Sequence, residues 1–156
     1  MPKQRESIRM TPEEIDSFLG ENGTLQVASI NADGSPHLVA MWFAFHEGRI
    51  GFWTYAKSQK VVNLRRDSRL TVMVESGKYY EELRGVTMYG HGLIVEESEE
   101  VLRFGEVLVH RYWGPIESDT ARAMAEKMGA KRVLILVDPF DVLSWDHTKL
   151  VPSRSD

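Results

Sequence analysis

Between Gly51 and Asp67 the chain reads GFWTYAKSQKVVNLRRD, and this stretch gathers the groups best suited to hold an anion. Trp53 and Thr54 end a strand pattern, Lys57 sits in a short turn, and Ser58 opens a helical pattern. A helix start offers unpaired backbone N–H groups and the positive end of the helix dipole, so amides, hydroxyls and two ammonium groups can converge on one point. At about 100° per residue, Lys60 and Asn63 fall roughly 60° apart on one face of the helix while Val61 turns toward the core. A phosphate would then take contacts from Lys57, Ser58, Lys60 and Asn63 together. The same residue types also make a solvated basic helix paired with Asp67 and nearby acids, and the types alone leave both readings open.

Two neighbouring segments, Val39-Ala40-Met41-Trp42-Phe43 and Phe52-Trp53-Thr54, add large flat or soft side chains beside this anion site. Such a wall suits a phosphorylated planar ligand, and it equally suits an aromatic core. Other chemistries find little support. His37, His46, His91, His110 and His147 show no paired metal-binding spacing, and no Gly-x-Ser-x-Gly elbow accompanies any serine. Glu96, Glu97, Glu99 and Glu100 cluster at an expected helix start, where the dipole accounts for them.

These residues need elements to position them. Thr11-Pro12-Glu13-Glu14 predicts a capped helix ending at Gly20. Strands are expected over 24–31, over 36–46 after an Asp33-Gly34 turn, and over 49–55 after Glu47-Gly48. A helix capped by Ser58 runs to Arg66, a strand covers 69–76, a polar loop 78–83, and a long strand 86–96 carries Gly90 and Gly92. Helices from Ser98 to Trp113 and from about Asp119 to Met128 precede a strand over 133–137. Pro139 is expected to break that strand before a last one over 141–145. About seven strands with short peripheral helices predict a small closed or partly closed barrel of the α+β, mainly β, class, as a single domain over residues 1–156.

Composition bounds what this domain meets. The chain has 156 residues, a formal charge of -4 and no cysteine, which leaves no thiolate chemistry and no global field to attract a polyanion. Its polar start and the lack of an apolar run near the roughly 18–20 residues of a membrane span predict a cytoplasmic protein with neither nucleic acid nor membrane as partner.

The segments PHLVAMWF at Pro36–Phe43, Trp53-Thr54 and KSQKVVNLRRD at Lys57–Asp67 resemble the split-barrel flavin-binding superfamily typified by pyridoxamine 5'-phosphate oxidase. More closely, the chain is similar to actinobacterial flavin/deazaflavin oxidoreductases of the branch that binds coenzyme F420. LRGV at Leu83–Val86, RYWGP at Arg111–Pro115, KRV at Lys131–Val133 and SWDHTKL at Ser144–Leu150 extend the resemblance over most of the chain.

The resemblance implies a homodimer of split β-barrels with cofactor sites at the subunit interface. Val39, Ala40, Met41 and Trp42 would line the isoalloxazine or deazaflavin ring, and Trp53 and Thr54 would flank the ring and ribityl chain. Lys57, Ser58, Gln59, Lys60 and Asn63 would hold the phosphate end. Val39 and Gln59 stand where the vitamin B6 oxidase has arginines, which sets B6 oxidation in question. The implied function is an F420-dependent reductase that passes hydride between a reduced deazaflavin and a planar conjugated small molecule, with FMN as the alternative cofactor. The cofactor performs the chemistry, so no catalytic side chain is required. Trp113, Tyr79, Tyr80 and Trp145 are candidates for the substrate wall. A non-catalytic carrier of the same cofactor is the competing reading.

Overall fold

The computed structural model describes residues 4–150. After a short helix, α1 (Gln4–Ser7), the chain forms α2 (Pro12–Glu21), and the expected cap is present. Thr11 Oγ1 accepts the Glu14 amide at 3.2 Å and Glu14 Oε2 accepts the Thr11 amide at 2.7 Å, a reciprocal capping box. The strands are β1 (Leu25–Ile30), β2 (Pro36–Met41), β3 (Ala44–His46), β4 (Arg49–Tyr55), β5 (Arg69–Ser76), β6 (Arg84–Val95) and β7 (Arg132–Asp146). Three helices interleave with them: α3 (Gln59–Arg66), α4 (Ser98–Trp113) and α5 (Ser118–Gly129). Single 3₁₀ turns follow at Tyr80–Glu82, inside the expected polar loop, and at His147–Leu150.

All seven strands pair antiparallel in the order β2-β1-β5-β6-β7-β4-β3, a rolled half-barrel in a mainly β, α+β fold. The count matches the sequence expectation, but two boundaries move. Residues 36–46 were expected as one strand, and they divide at Trp42-Phe43 into the two edge strands of the sheet. The cause lies in α4: Tyr112 Oη accepts the Phe43 amide at 2.9 Å and stands 2.9 Å from the Phe43 carbonyl, so a side chain takes the backbone groups a strand partner would use. Arg111 fixes the same corner, donating to the carbonyls of Leu19 at 2.8 Å and Asn22 at 2.6 Å with its guanidinium 4.6 Å over the Phe43 ring.

Conversely, Pro139 does not break its strand, and β7 is continuous. Pro139 pairs opposite Gly90, where the β6–β7 register shifts. A Cβ at Gly90 would overlap the backbone of Asp138 and Pro139, so a glycine there lets the bulge close around the proline. The β3–β4 turn behaves as read: Glu47 and Gly48 both hold positive φ, at 50° and 77°, as a two-residue hairpin turn of the twisted kind requires.

Alternation along the strands builds two cores. Leu25 and Val27 of β1, Val72 and Val74 of β5, Phe52 of β4, Ile135 of β7, and Val61 and Leu64 of α3 fill the inside of the roll. On the outside of β4 and β7, Trp53 and Leu134 pack under Val101, Phe104 and Leu108 of α4 and Ala125 of α5. Helix α3 therefore plugs the barrel while α4 and α5 cover one wall, and the candidate site lies between them.

Candidate functional site

Strand β2 borders both predicted halves of the site, Gln59 of the basic segment at its start and the aromatic cleft at its end. At its start, His37 lies in a depression with Asn31, Asp33 and Gln59, next to the beginning of α3. His37 Nδ1 is buried there without a hydrogen-bond partner. At its end, Ala40, Met41 and Trp42 line a cleft of about 360 Å³ together with Trp53, Leu108, Val109, Trp113, Met128 and Arg132. Of the basic segment Gln59 alone lines the depression at the start of β2, while Lys60 reaches Thr54, next to Trp53 on β4.

At the basic end, Ser58 occupies the cap position of α3 but does not cap it with its side chain. Its hydroxyl instead lies 3.0 Å from Thr54 Oγ1, and the same oxygen accepts a proton from Lys60 Nζ at 2.9 Å. Thr54 is buried. Lys60 is half-buried, forms no ion pair among the described residues, and has its pKa pushed below the ordinary lysine value by burial. A positive charge is thus partly desolvated with only a hydroxyl for company. Lys57 is exposed on the turn above.

Asn63 takes another part. It is fully buried, donating to Ser29 Oγ at 3.1 Å and Asn31 Oδ1 at 3.0 Å and accepting from Gln59 Nε2 at 2.9 Å. Its amide bolts α3 to β1 and orients Gln59, so its hydrogen-bonding groups are already spent inside the protein. Arg65 and Arg66, the two cations in the last turn of α3, are committed too. Arg65 pairs with Glu96 at 2.5 Å and Arg66 bonds the Ile30 carbonyl.

At the aromatic end the strand pattern divides the four ring-lining candidates. Val39 and Met41 share the inward face of β2 with Val27 and Leu25 opposite and pack on the barrel core, whereas Ala40 faces out. Met41 also reaches the cleft, and Val39 is not part of its lining. Trp42 is 48% exposed, stacked on Tyr112 at 4.4 Å with 8° between the planes and edge-on to Trp113 at 5.2 Å. Trp53 forms the floor: only 2% exposed, it donates its indole N–H to the Val101 carbonyl at 3.1 Å. Two glycines make room for that ring, since a Cβ at Gly105 or Gly129 would fall against its Cζ2 and Cη2 atoms.

Of the proposed substrate-wall aromatics, Trp113 joins this cleft. Tyr79 and Tyr80 are exposed elsewhere, Tyr80 beside His147 at 4.6 Å. Trp145 lies across Gly85, where a Cβ would collide with its ring. Leu108, Val109, Met128 and Arg132 were not singled out from the sequence. They come from α4, α5 and β7, far along the chain, and only the KRV segment that holds Arg132 had drawn notice.

One polar cluster lies outside the site. His46 Nε2 bonds Glu100, which also takes Arg103, and Glu47 stands alongside, with ligand-type atoms of His46, Glu47 and Glu100 all within 4.8 Å. Arg103 already balances the Glu100 charge, and the cluster joins the β3–β4 hairpin to α4. These bonds hold the Glu100 carboxyl below its usual pKa.

A rolled antiparallel sheet with its two edge strands joined at one corner, plugged by one helix and walled by two, defines the split-barrel class. Within that class the chain belongs to the pyridoxamine 5'-phosphate oxidase family, whose model matches residues 11–146. It is similar to the conserved hypothetical protein Rv2991 from Mycobacterium tuberculosis, at 44% identity and TM-score 0.91 over 99% of this chain and 96% of that one. More remote likenesses include an F420 reductase, at 24% identity and TM-score 0.60 over 91% and 98% of the two chains. A FAD-binding protein from Mesorhizobium loti matches at 17% and 0.64 over 86% and 94%. At these identities the last two carry the fold alone. No curated protein matches the sequence. Among the described residues no helix is long and apolar enough to cross a membrane.

Proposed function

We propose that the protein is a cytoplasmic F420-dependent oxidoreductase, working as a homodimer whose cofactor sites lie at the subunit interface and whose substrate is a planar conjugated small molecule. The observation that carries this reading is Lys60: a half-buried ammonium group with only the Thr54 hydroxyl as partner, on β4 next to the Trp53 floor of the aromatic cleft. Burying a cation without an anion is costly, and a phosphate from the ligand would relieve that cost.

The residues fit a phosphorylated deazaflavin. Lys60, Thr54, Ser58 and Lys57 would hold the phosphate, with Gln59 at the rim and Asn63 fixing the helix that presents them. Ala40, Met41 and Trp42 would face the ring, and Val39 and Trp53 would back that wall from the two cores. Trp42 and Trp113 exclude water from the cleft. When bound, the cofactor supplies hydride transfer, and the chain's own contribution is position, charge and dryness. Two free ammonium groups match one phosphate, which FMN and the deazaflavin both carry, so the preference for F420 rests on the branch resemblance of the sequence segments.

A second copy of the chain is the partner that the outer face of the sheet fits. Leu38, Ala28, Thr71 and Tyr89 form one cross-strand row there, and Leu38 at 67% and nearby Phe140 at 69% exposure are left bare.

Titration of the protein with F420 and then with FMN, followed by absorption and cofactor fluorescence, tests the reading. F420 is expected to bind, and Lys57→Ala with Lys60→Ala to weaken it at least about tenfold. Tighter FMN binding would replace the cofactor, and an unchanged affinity in the double variant would remove the anion site. Reduced F420 should then be oxidised by a quinone or nitroaromatic acceptor. Tight binding with no acceptor-dependent turnover would make the protein a carrier.

A further inference from the structure

Arg132 is the charged side chain of the aromatic cleft, and none of the described carboxylates pairs with it. Its guanidinium lies 5.6 Å from the Trp53 ring and 4.6 Å from the Tyr55 ring, two side chains on one face of β4, where Tyr55 and Arg132 are register partners. Its one hydrogen bond, to Tyr55 Oη, is long at 3.4 Å, and its Nε is buried without an acceptor. Among the described residues it forms no ion pair.

Acids do stand nearby. Glu96 and Glu126 line the adjoining cleft of about 320 Å³ that Arg132 also borders. Each is claimed by another arginine, Glu96 by Arg65 at 2.5 Å and Glu126 by Arg122 at 3.7 Å. Arg122 is shared with Glu99 and Glu106, yet neither Glu96 nor Glu126 reaches Arg132 within ion-pair distance. The backbone just before it is unusual as well: Lys131 holds φ at 64°, a left-handed conformation uncommon outside glycine, at the turn that feeds Arg132 into β7.

A guanidinium is planar, and its fork of N–H donors matches the two oxygens of a carboxylate; here two aromatic rings lie within 5.6 Å of it. The indoles of Trp42, Trp53 and Trp113 offer stacking surface in the same cleft. We infer that Arg132 reads an anionic oxygen on the planar molecule this cleft takes, so that its ligand is a conjugated ring system bearing a carboxylate or an equivalent oxyanion. The inference rests on the reading of this cleft as a ligand site and does not depend on which cofactor binds along β2.

Two probes of one shape and different charge, 2-naphthoate and 2-naphthamide, separate the possibilities in cofactor-free protein, with tryptophan fluorescence as the readout. The wild-type protein is expected to bind the naphthoate about tenfold more tightly than the amide, as a charge-assisted pair replaces a neutral one. Arg132→Met should bring the naphthoate down to the amide's affinity and leave the amide within about twofold. Arg132→Lys, which keeps the charge but not the fork, should recover part of the preference. Far-UV circular dichroism checks that each variant is folded. Should Arg132→Met not fold, Arg132→Lys alone must still reduce the preference.

Equal binding of the two probes to the wild type, or a preference that survives at Arg132→Met, would overturn the inference. Loss of the preference on Lys57→Ala with Lys60→Ala would overturn it too, since the carboxylate would then be read by the lysines at the start of α3. A protein that binds neither F420 nor FMN but still prefers the naphthoate would defeat the proposed cofactor and leave Arg132 in its role.

Discussion

Replacing Gly105 by alanine sets two known magnitudes against each other. In an exposed helix interior that change gains roughly 1 kcal/mol, because alanine restricts the unfolded chain and suits the helix better. Here the new Cβ would stand 2.1 Å from Trp53 Cζ2 and 3.1 Å from Ala125 Cβ. The indole cannot simply slide away: the ring is only 2% exposed and its N–H is tied to Val101 at 3.1 Å. Overpacking of a rigid ring costs about 1–3 kcal/mol, which outweighs the helix term and predicts a net loss of about 1–2 kcal/mol. Trp53→Phe removes the colliding Cζ2 and Cη2 atoms, at its own cost in cavity and lost hydrogen bond. The double variant should therefore be more stable than the sum of the two singles predicts, by about 1–2 kcal/mol. Urea unfolding followed by far-UV circular dichroism measures the cycle without relying on the tryptophan signal being altered. Additive effects, or a stabilising Gly105→Ala alone, would show that the floor of the cleft is not wedged between α4 and α5 as described.

Two further outcomes follow from Lys60 and the outer face of the sheet. Lys60 has a folded-state pKa below its ordinary value of 10.5, so between the two values the unfolded chain binds more protons and stability rises with pH. Urea midpoints should show this alkaline gain in the wild type and lose it in Lys60→Met; affinity for a phosphorylated cofactor should instead fall as pH climbs through the same window, and an affinity flat in pH would detach Lys60 from the phosphate. Leu38→Glu with Phe140→Glu places charge on the bare outer face, and analytical ultracentrifugation should show a wild-type dimer turned into a monomer. A wild type already monomeric at tens of micromolar would refute the dimeric site.

Much of this architecture was legible because local rules and the fold agree. The Thr11-Pro12-Glu13-Glu14 cap, the Glu47-Gly48 turn and strands β4 and β5 each rest on short-range patterns that nothing distant contradicts. Misread boundaries share one cause. Trp42-Phe43 looked like strand interior, and it is a corner because Tyr112, some seventy residues later, takes the Phe43 backbone. Pro139 looked like a terminator, and it is tolerated because Gly90 opposite it has no side chain.

The site divides along the same line. Lys57, Ser58, Lys60 and Asn63 were legible as a group from helical spacing, yet spacing cannot say which polar atoms the fold itself consumes. Asn63, on the same helical face as Lys60, turns inward to Ser29 and Asn31, whereas Lys60 finds only a hydroxyl. Arg132 shows the converse. Sequence makes it one basic residue of a pair, and its meaning arises when Glu96 turns to Arg65 and Glu126 to the shared Arg122, so that neither reaches Arg132. In a chain with an overall charge of -4, what marks a site for an anion is therefore not an excess of lysine and arginine. It is the pair of cations, Lys60 on Thr54 and Arg132 beside Tyr55, that folding leaves partly buried and, among the described residues, without an ion pair at one end of the β4–β7 strand pair.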